Sequence, residues 1–305
     1  MTEPYFKNDF VTLYKGDCVE MLSGMEETFD CCVADPPYWK VVNQKWDYQW
    51  RTEEDYVTWC GEWFSQLSRL VRHGGTFYLF GYFRTLALLL SSLQEKEFVL
   101  RQQIIVDKGM KAVAERATKN YRMFPTTTES ILFLVRDNIP FARELLKKRQ
   151  AEMGLTANEI NNALGVKSNG GGMWSIYAGR NICRQFPTRE QWGRLEDILG
   201  FGFPYEKIAQ TYNPEMGLTD VWNDIDFYEE KRWHPTQKPL KLIERLVKAS
   251  SNEGDLIVDP FAGSGATGLA CIRLGRKCVL IEKDEKYCDE MVRRFTEEGR
   301  QLELF

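Results

Sequence analysis

The residues with the clearest chemical purpose lie in two places far apart in the chain. Asp35, Pro36, Pro37 and Tyr38 end the apolar run "FDCCVAD". Proline has no N–H for a sheet ladder and forces the residue before it into extended geometry, so two in succession fix the exit of a strand. Such an exit presents a carboxylate, a carbonyl and an aromatic face in set directions, although taken alone it also suits a proline-braced turn. Gly263, Gly265 and Gly268 follow "DLIVD" as G-x-G-x-x-G, and Glu282 ends the next apolar run. Small residues let a backbone approach a ligand closely, a helix N-terminus attracts anionic groups, and a carboxylate at that distance holds ribose hydroxyls. The pattern fits a nucleotide-type cofactor, with NAD a real competitor. Two features weigh against NAD: the turn reads D-x-F-x-G-x-G through Asp259 and Phe261, and too little chain follows it to complete a dinucleotide-binding sheet.

The elements that must carry these residues alternate. "FVTLYKGD", "FDCCVAD", "TFYLFG", "FVLRQQIIVDK" and "ESILFLVRD" read as strands, and "YVTWCGEWFSQLSRLV" and "RTLALLLSSLQEK" as helices, with "HGG" stopping the first of these helices. This is the pattern of a wound α/β sheet. The aromatic-rich stretch after Tyr38 reads as a loop that could order around a ligand, with Trp46 and Trp50 equally suited to be core anchors. From 141 to 227 the strand signal fades into helical stretches. "LTANEINNALGV" resembles the first helix and turn of a helix-turn-helix, with Thr156 as cap and Gly165 at the turn; a small helical lid would read the same way. The last third returns to α/β.

Composition sets the outer bounds. At 305 residues the chain suits one large α/β domain with an inserted module, or two ordinary domains. No apolar run approaches bilayer length and the start has no signal-peptide character, so the expectation is a cytoplasmic protein without membrane contact. Eight cysteines without a Cys-x-x-Cys pair, and two histidines far apart, point to reduced buried thiols and no metal site. The net charge is −4, but Arg143–Arg194 holds nine Lys/Arg against four Asp/Glu, which permits a cationic face on an acidic protein.

The order "YKGD", "DPPY", "GGTFYLFG", "ESILFLVRD", "HPTQKP", "DPFAGSG", "VLIEKD" resembles the β-group of DNA amino-methyltransferases, which place the catalytic motif before the cofactor motif. The resemblance covers essentially the whole chain apart from the middle segment. It implies a class I (Rossmann-like) methyltransferase fold, α/β with a seven-stranded mixed sheet and circularly permuted motif order. The core would comprise residues 1–140 and 228–305, with a helical target-recognition insert at 141–227. It also implies S-adenosylmethionine as cofactor and double-stranded DNA as partner, and leaves open a homodimer and a cognate restriction endonuclease.

Methylating an exocyclic amine is hard because the lone pair is delocalised into the ring; acceptors on the amine protons localise it, and rigid positioning aligns it. Asp35 and the Pro36 carbonyl would be those acceptors, Pro37 would brace them, and Tyr38 would stack a base swung out of the duplex. For the cofactor, the resemblance implies Asp259, Phe261, Gly263 and Gly265 on the methionine and adenosine side, with Glu282 on the ribose. It places Asp17 near the adenine, Asp35 at the reacting end, and Thr236 and Lys238 at the methionine carboxylate, where a cation would complement the charge. His234 reads as a loop-fixing partner. Lys108, Arg122, Lys167, Arg180, Arg184 and Arg189 are the candidate DNA contacts, with Asn169, Gln185 and Arg194 beside them. Asp-Pro-Pro-Tyr, rather than Ser-Pro-Pro-Tyr, favours adenine-N6 over cytosine-N4 within the family. The remaining alternative is a non-catalytic helix-turn-helix regulator, which the intact Asp35 and cofactor motif disfavour.

Overall fold

The computed structural model describes residues 3–40, 47–113, 124–166, 172–179, 182–230, 234 and 236–302. Strands Phe6–Lys7 (β1), Val11–Lys15 (β2), Phe29–Ala34 (β3), Val71–Gly81 (β4), Phe98–Asp107 (β5), Thr128–Arg136 (β6), Val221–Trp222 (β7), Leu256–Asp259 (β8) and Lys277–Glu282 (β9) form one sheet in the order β1-β2-β9-β8-β3-β4-β6-β5-β7. The seven strands from β2 to β5 are the expected mixed sheet; among the described residues the count rises to nine because a two-residue strand adds to each edge. β6 runs antiparallel to both of its neighbours, whereas β2, β9, β8, β3 and β4 run parallel.

Strand alternation sends neighbouring residues to opposite faces, and the two cores follow that rule. Cys31 and Val33 of β3, Tyr78 and Phe80 of β4, and Cys278 and Leu280 of β9 face Leu240–Ser250 (α8), Ala266–Leu274 (α9) and Glu285–Leu302 (α10). Cys32 and Ala34, Phe77 and Leu79, and Val279 and Ile281 face Cys18–Ser23 (α1), Glu53–Leu70 (α2) and Phe83–Glu95 (α3). α2 starts at a capping box in which Thr52 and Asp55 exchange hydrogen bonds, then buries Tyr56, Cys60, Trp63, Phe64 and Leu67 at helical spacing. All eight cysteines are free thiols and seven are buried, Cys183 being exposed. Among the described residues no helix is long and apolar enough to cross a membrane.

Among its described residues the middle segment forms four α-helices, Ile139–Met153 (α4), Ala157–Ala163 (α5), Gly172–Tyr177 (α6) and Arg189–Leu199 (α7), around an apolar cluster of their own that includes Leu146, Ile160, Trp174, Leu195 and Leu199. α5 and α6 meet where the Asn161 side-chain oxygen accepts the Trp174 N–H at 3.0 Å. The chain then rejoins the sheet earlier than the 141–227 boundary implies. β7 pairs with β5, and Trp222, Ile225 and Phe227 pack in the main core.

"HGG" does not stop α2, which ends at Leu70. His73, Gly74 and Gly75 lie inside β4, where the pairing with β3 shifts between Phe29–Val71 and Cys31–Thr76. The irregular stretch carries the helical module. Arg72 donates to the Ala209 carbonyl at 2.8 Å, His73 stacks on Phe141, and Asn138 donates to the Ile208 carbonyl at 3.0 Å. Gly74 has φ +77°, and a Cβ there would stand 2.1 Å from the Ile208 carbonyl oxygen. Gly74→Ala should therefore destabilise the protein by about 2 kcal/mol or more, because both the backbone angle and a main-chain contact oppose it. A thermal melt checks this, and an unchanged midpoint would mean that the module's attachment yields freely.

Candidate active site

Two parallel strands meet at the point where the chain's winding reverses: β8 leads through α9 to β9 on one side, and β3 leads through α2 to β4 on the other. Ligand crevices in wound sheets open at the carboxyl ends of such strands. Here β3 delivers Asp35 and the prolines, and β8 delivers the Gly-rich turn. A cavity of about 600 Å³ lies between them, reached also by Asp17 after β2 and Glu282 at the end of β9. That volume suits a small-molecule cofactor, for which sites span about 300–1,000 Å³.

The proline exit is braced from behind. Tyr56 of α2 donates its hydroxyl to the Pro37 carbonyl at 2.8 Å, and Trp39 donates its indole N–H to the Trp50 carbonyl at 3.2 Å. Trp39 and Lys40 have φ of 61° and 60°, a left-handed pair without glycine that only surrounding contacts can hold. Trp50 is a core anchor, packed on Tyr56 and Trp59; Trp46 lies outside the described residues.

The Gly-rich turn is held from both sides. Glu282 accepts the Gly263 N–H at 2.9 Å and the Asp284 N–H at 2.8 Å, which fixes its carboxylate at the cavity wall. Asp259 sits behind the turn, where it accepts the Phe261 N–H at 2.9 Å and the Thr267 hydroxyl at 2.5 Å. Gly265 also faces away from the main cavity, and a Cβ there would meet Met291 at 2.7 Å, so its bareness lets α10 close on α9. Gly263 and Phe261 line the cavity, with Phe261 wedged against Trp59 and Trp63. Asp17 caps α1 through the Val19 N–H at 3.0 Å while reaching the rim. Thr236 lines the wall, its hydroxyl 3.0 Å from His234 Nδ1. Burial, aided by the nearby Lys238 charge, lowers His234 to about 4 and leaves the imidazole neutral.

Lys238 departs from its expected place. Its ammonium is not at the main cavity wall; it donates to Asp35 Oδ2 at 2.7 Å and to the Tyr38 oxygen at 3.1 Å, and lies 3.8 Å from Glu129. The ammonium is buried beside two carboxylates, so the nearest anion takes it. Tyr38 is likewise held by its hydroxyl, 2.5 Å from Asp35 Oδ1 and 2.7 Å from Glu129. Lys108 is not a surface cation either, since its ammonium lies 3.1 Å from Glu129 with 15% of the side chain exposed. Burial pushes the Asp35 carboxyl above its ordinary value against the pull of Lys238, with Glu129 adding to the rise. Burial works on Glu129 too, but Lys238 and Lys108 together outweigh it and leave that acid below its ordinary value. Glu129 escaped the sequence reading; its only signal was a lone acid at the head of the strand-like run "ESILFLV".

A family model described as DNA methylase, of the N6/N4 methyltransferase type, matches residues 29–293. The chain belongs to this DNA methylase family. It is similar to the type II methyltransferase M.ScaI of Streptomyces caespitosus, with 27% identity over 98% of this chain and 86% of that protein. It is similar also to the DNA adenine methyltransferase YhdJ of Escherichia coli K12, with 27% identity over 95% of this chain and 84% of that one. Among solved structures, the M1.HpyAVI–SAM complex has a TM-score of 0.57 at 20% identity, covering 93% of this chain and 98% of its own. The PvuII cytosine-N4-specific DNA methyltransferase has a TM-score of 0.59 at 15% identity, covering 96% and 89%. Both likenesses are of fold, and they bear out the class I architecture.

Of the DNA contacts expected for such an enzyme, Arg184 is exposed, whereas Arg189 and Arg194 are exposed but paired with Glu206 and Glu190. Arg122, Lys167, Asn169 and Arg180 lie outside the described residues.

The clamp on the turn makes a pH-dependent prediction. Burial raises Asp259 to about 7, well above an unfolded aspartate at about 3.9. A carboxyl shifted in that sense contributes stability at acid pH that is lost as pH rises through the folded value. The melting temperature of Asp259→Asn relative to the unsubstituted protein should therefore climb from about pH 4 to about pH 7 and level off above that. A difference flat across that range would show that Asp259 is ionised throughout.

Proposed function

We propose that the protein transfers a methyl group from S-adenosylmethionine to the N6 amine of adenine at a defined sequence in duplex DNA, with the target base turned out of the helix. One observation carries this reading: a proline-braced carboxylate, Asp35, opens into the same cavity as the Gly-rich turn and the Glu282 carboxylate. The cavity's residues match the cofactor's chemistry. Glu282 suits a ribose diol, Phe261, Trp59 and Ile281 suit an adenine ring, and the bare Gly263 backbone gives close approach. When bound, that cofactor supplies a methyl group activated on a sulfonium.

The protein's part is to hold and align. Asp35 accepts one proton of the amine and the Pro36 carbonyl the other, which localises the lone pair. Tyr38, fixed by its hydroxyl, turns its ring toward the incoming base. Thr236 belongs to the wall that receives the methionine end of the cofactor, a role that Lys238, engaged with Asp35, leaves to it. The four-helix module reads the sequence, with Arg184 at a phosphate. Adenine is supported by the aspartate that opens Asp-Pro-Pro-Tyr and by the likeness over most of the chain to a protein named a DNA adenine methyltransferase.

Expression in a host lacking DNA methylation, followed by sequencing that reports modified base and context, tests the reading. N6-methyladenine at one motif is the expected outcome, and N4-methylcytosine would overturn the base assignment while keeping the chemistry. Asp35→Ala should abolish the modification and leave cofactor affinity within about threefold, since that change removes the amine's acceptor and spares the turn. Because Asp35 must be ionised to accept, turnover should fall as pH drops through its raised value; an acid limb at the ordinary carboxylate value would contradict the buried setting.

A further inference from the structure

Glu129 is an acid that the proposed reaction has not used. It opens β6 with 7% of its side chain exposed, 2.7 Å from the Tyr38 hydroxyl, 3.1 Å from the Lys108 ammonium and 3.8 Å from that of Lys238. Two of these three donors also hold Asp35, Tyr38 at 2.5 Å and Lys238 at 2.7 Å. A hydroxyl has one proton and can donate to one carboxylate at a time. Both Asp35 oxygens thus already carry a donor, and a target amine that displaces either one would leave a buried hydroxyl or ammonium in need of another acceptor.

We propose that Glu129 is a positioning residue, the second seat to which the Tyr38 hydroxyl and the Lys238 ammonium turn when the target amine takes Asp35. The inference rests on the reading of Asp35 as the amine's acceptor. Glu129 is already within hydrogen-bond reach of Tyr38 and about an ångström beyond its contact distance with Lys238, so neither donor has far to go. Lys108 keeps the arrangement electrically even: two carboxylates face two ammonium groups. Among the described residues, the other titratable groups around Asp35 are Tyr56 of α2, Tyr82 at the start of α3, whose ring meets Tyr38 edge-on, His234 in the loop before α8, and Asp259 at the end of β8. His234 is neutral, and Tyr82 and Asp259 are common to every variant compared, so the Glu129 substitutions isolate its charge.

Glu129→Gln should lower kcat for methyl transfer by about tenfold or more, the worth of one charge-assisted hydrogen bond, and leave the cofactor dissociation constant within about twofold. Glu129→Asp, which keeps the anion, should recover part of the loss. A second measurement needs no turnover. In the free full-length protein, the Asp35 carboxyl can be followed by carbon-13 NMR and assigned by its disappearance in Asp35→Asn. Glu129→Gln should move its titration to lower pH, because a neighbouring anion is gone and Lys238 belongs to Asp35 alone; Lys108→Met should move it upward. An unchanged kcat in Glu129→Gln, or an Asp35 titration that stays put or rises, overturns the second seat. If Asp35→Ala also methylates normally, the acceptor reading itself fails; if only Glu129→Gln does, that reading stands and the second seat alone is lost.

Discussion

The ammonium of Lys238 lies 2.7 Å from Asp35 across 203 residues of sequence, and the rest of the site is arranged around that contact. It joins the two halves of a permuted core, because β3 comes from the N-terminal part and the loop before α8 from the C-terminal part. A buried ion pair gains stability only where further hydrogen bonds satisfy both partners. Tyr38, Glu129 and Lys108 provide them, so the corner around Asp35 is a neutral cluster rather than a single pair. Its geometry is set by β3 and β5 ending, and β6 beginning, at the same rim of the sheet.

The helical module is tied to the other end of the same strands. Arg72, His73 and Gly74 hold it at the start of β4, and Arg72 also donates to Asp30 at the start of β3, whose carboxylate in turn accepts the Leu256 N–H at the start of β8. The anchoring contacts thus lie at the amino ends of the strands and the cavity at their carboxyl ends. That division places the irregular, glycine-dependent start of β4 away from the cavity.

Much of this was legible in the sequence because it is local. Alternation in "FDCCVAD" and helical spacing from Tyr56 to Leu67 reappear as β3 and α2, and the order of the motifs foretold the permuted sheet. What escaped was non-local or ambiguous. A lysine in a basic stretch reads the same whether it faces a phosphate or a buried acid, which is why Lys108 looked like a DNA contact. Lys238 within "HPTQKP" carried no sign that Asp35 would claim it first. Two glycines after a helix usually mark its end; here Gly74 and Gly75 serve a strand irregularity whose need arises from Ile208, far along the chain. Gly265 belongs to the cofactor motif by pattern, yet its absent side chain makes room for Met291 and Phe295.

Glu129 and Asp35 share an ammonium but are pushed in opposite directions, and pairs separated in this way tend to have divided roles. Two cations flank Glu129, so it remains an anion and keeps Lys238 charged. Asp35 has one cation, a neighbouring anion and little solvent, so its carboxyl lies above its ordinary value. In the proposed reaction the amine becomes acidic only as the new bond forms, and its proton needs somewhere to go. A carboxylate with an ordinary value would hold it poorly, whereas one raised by burial can take it briefly and pass it to water at the cavity mouth. The same burial that makes Asp35 costly to ionise thereby suits it to the end of the reaction, and the Lys238 ammonium keeps that cost from becoming a permanently protonated, inactive acid.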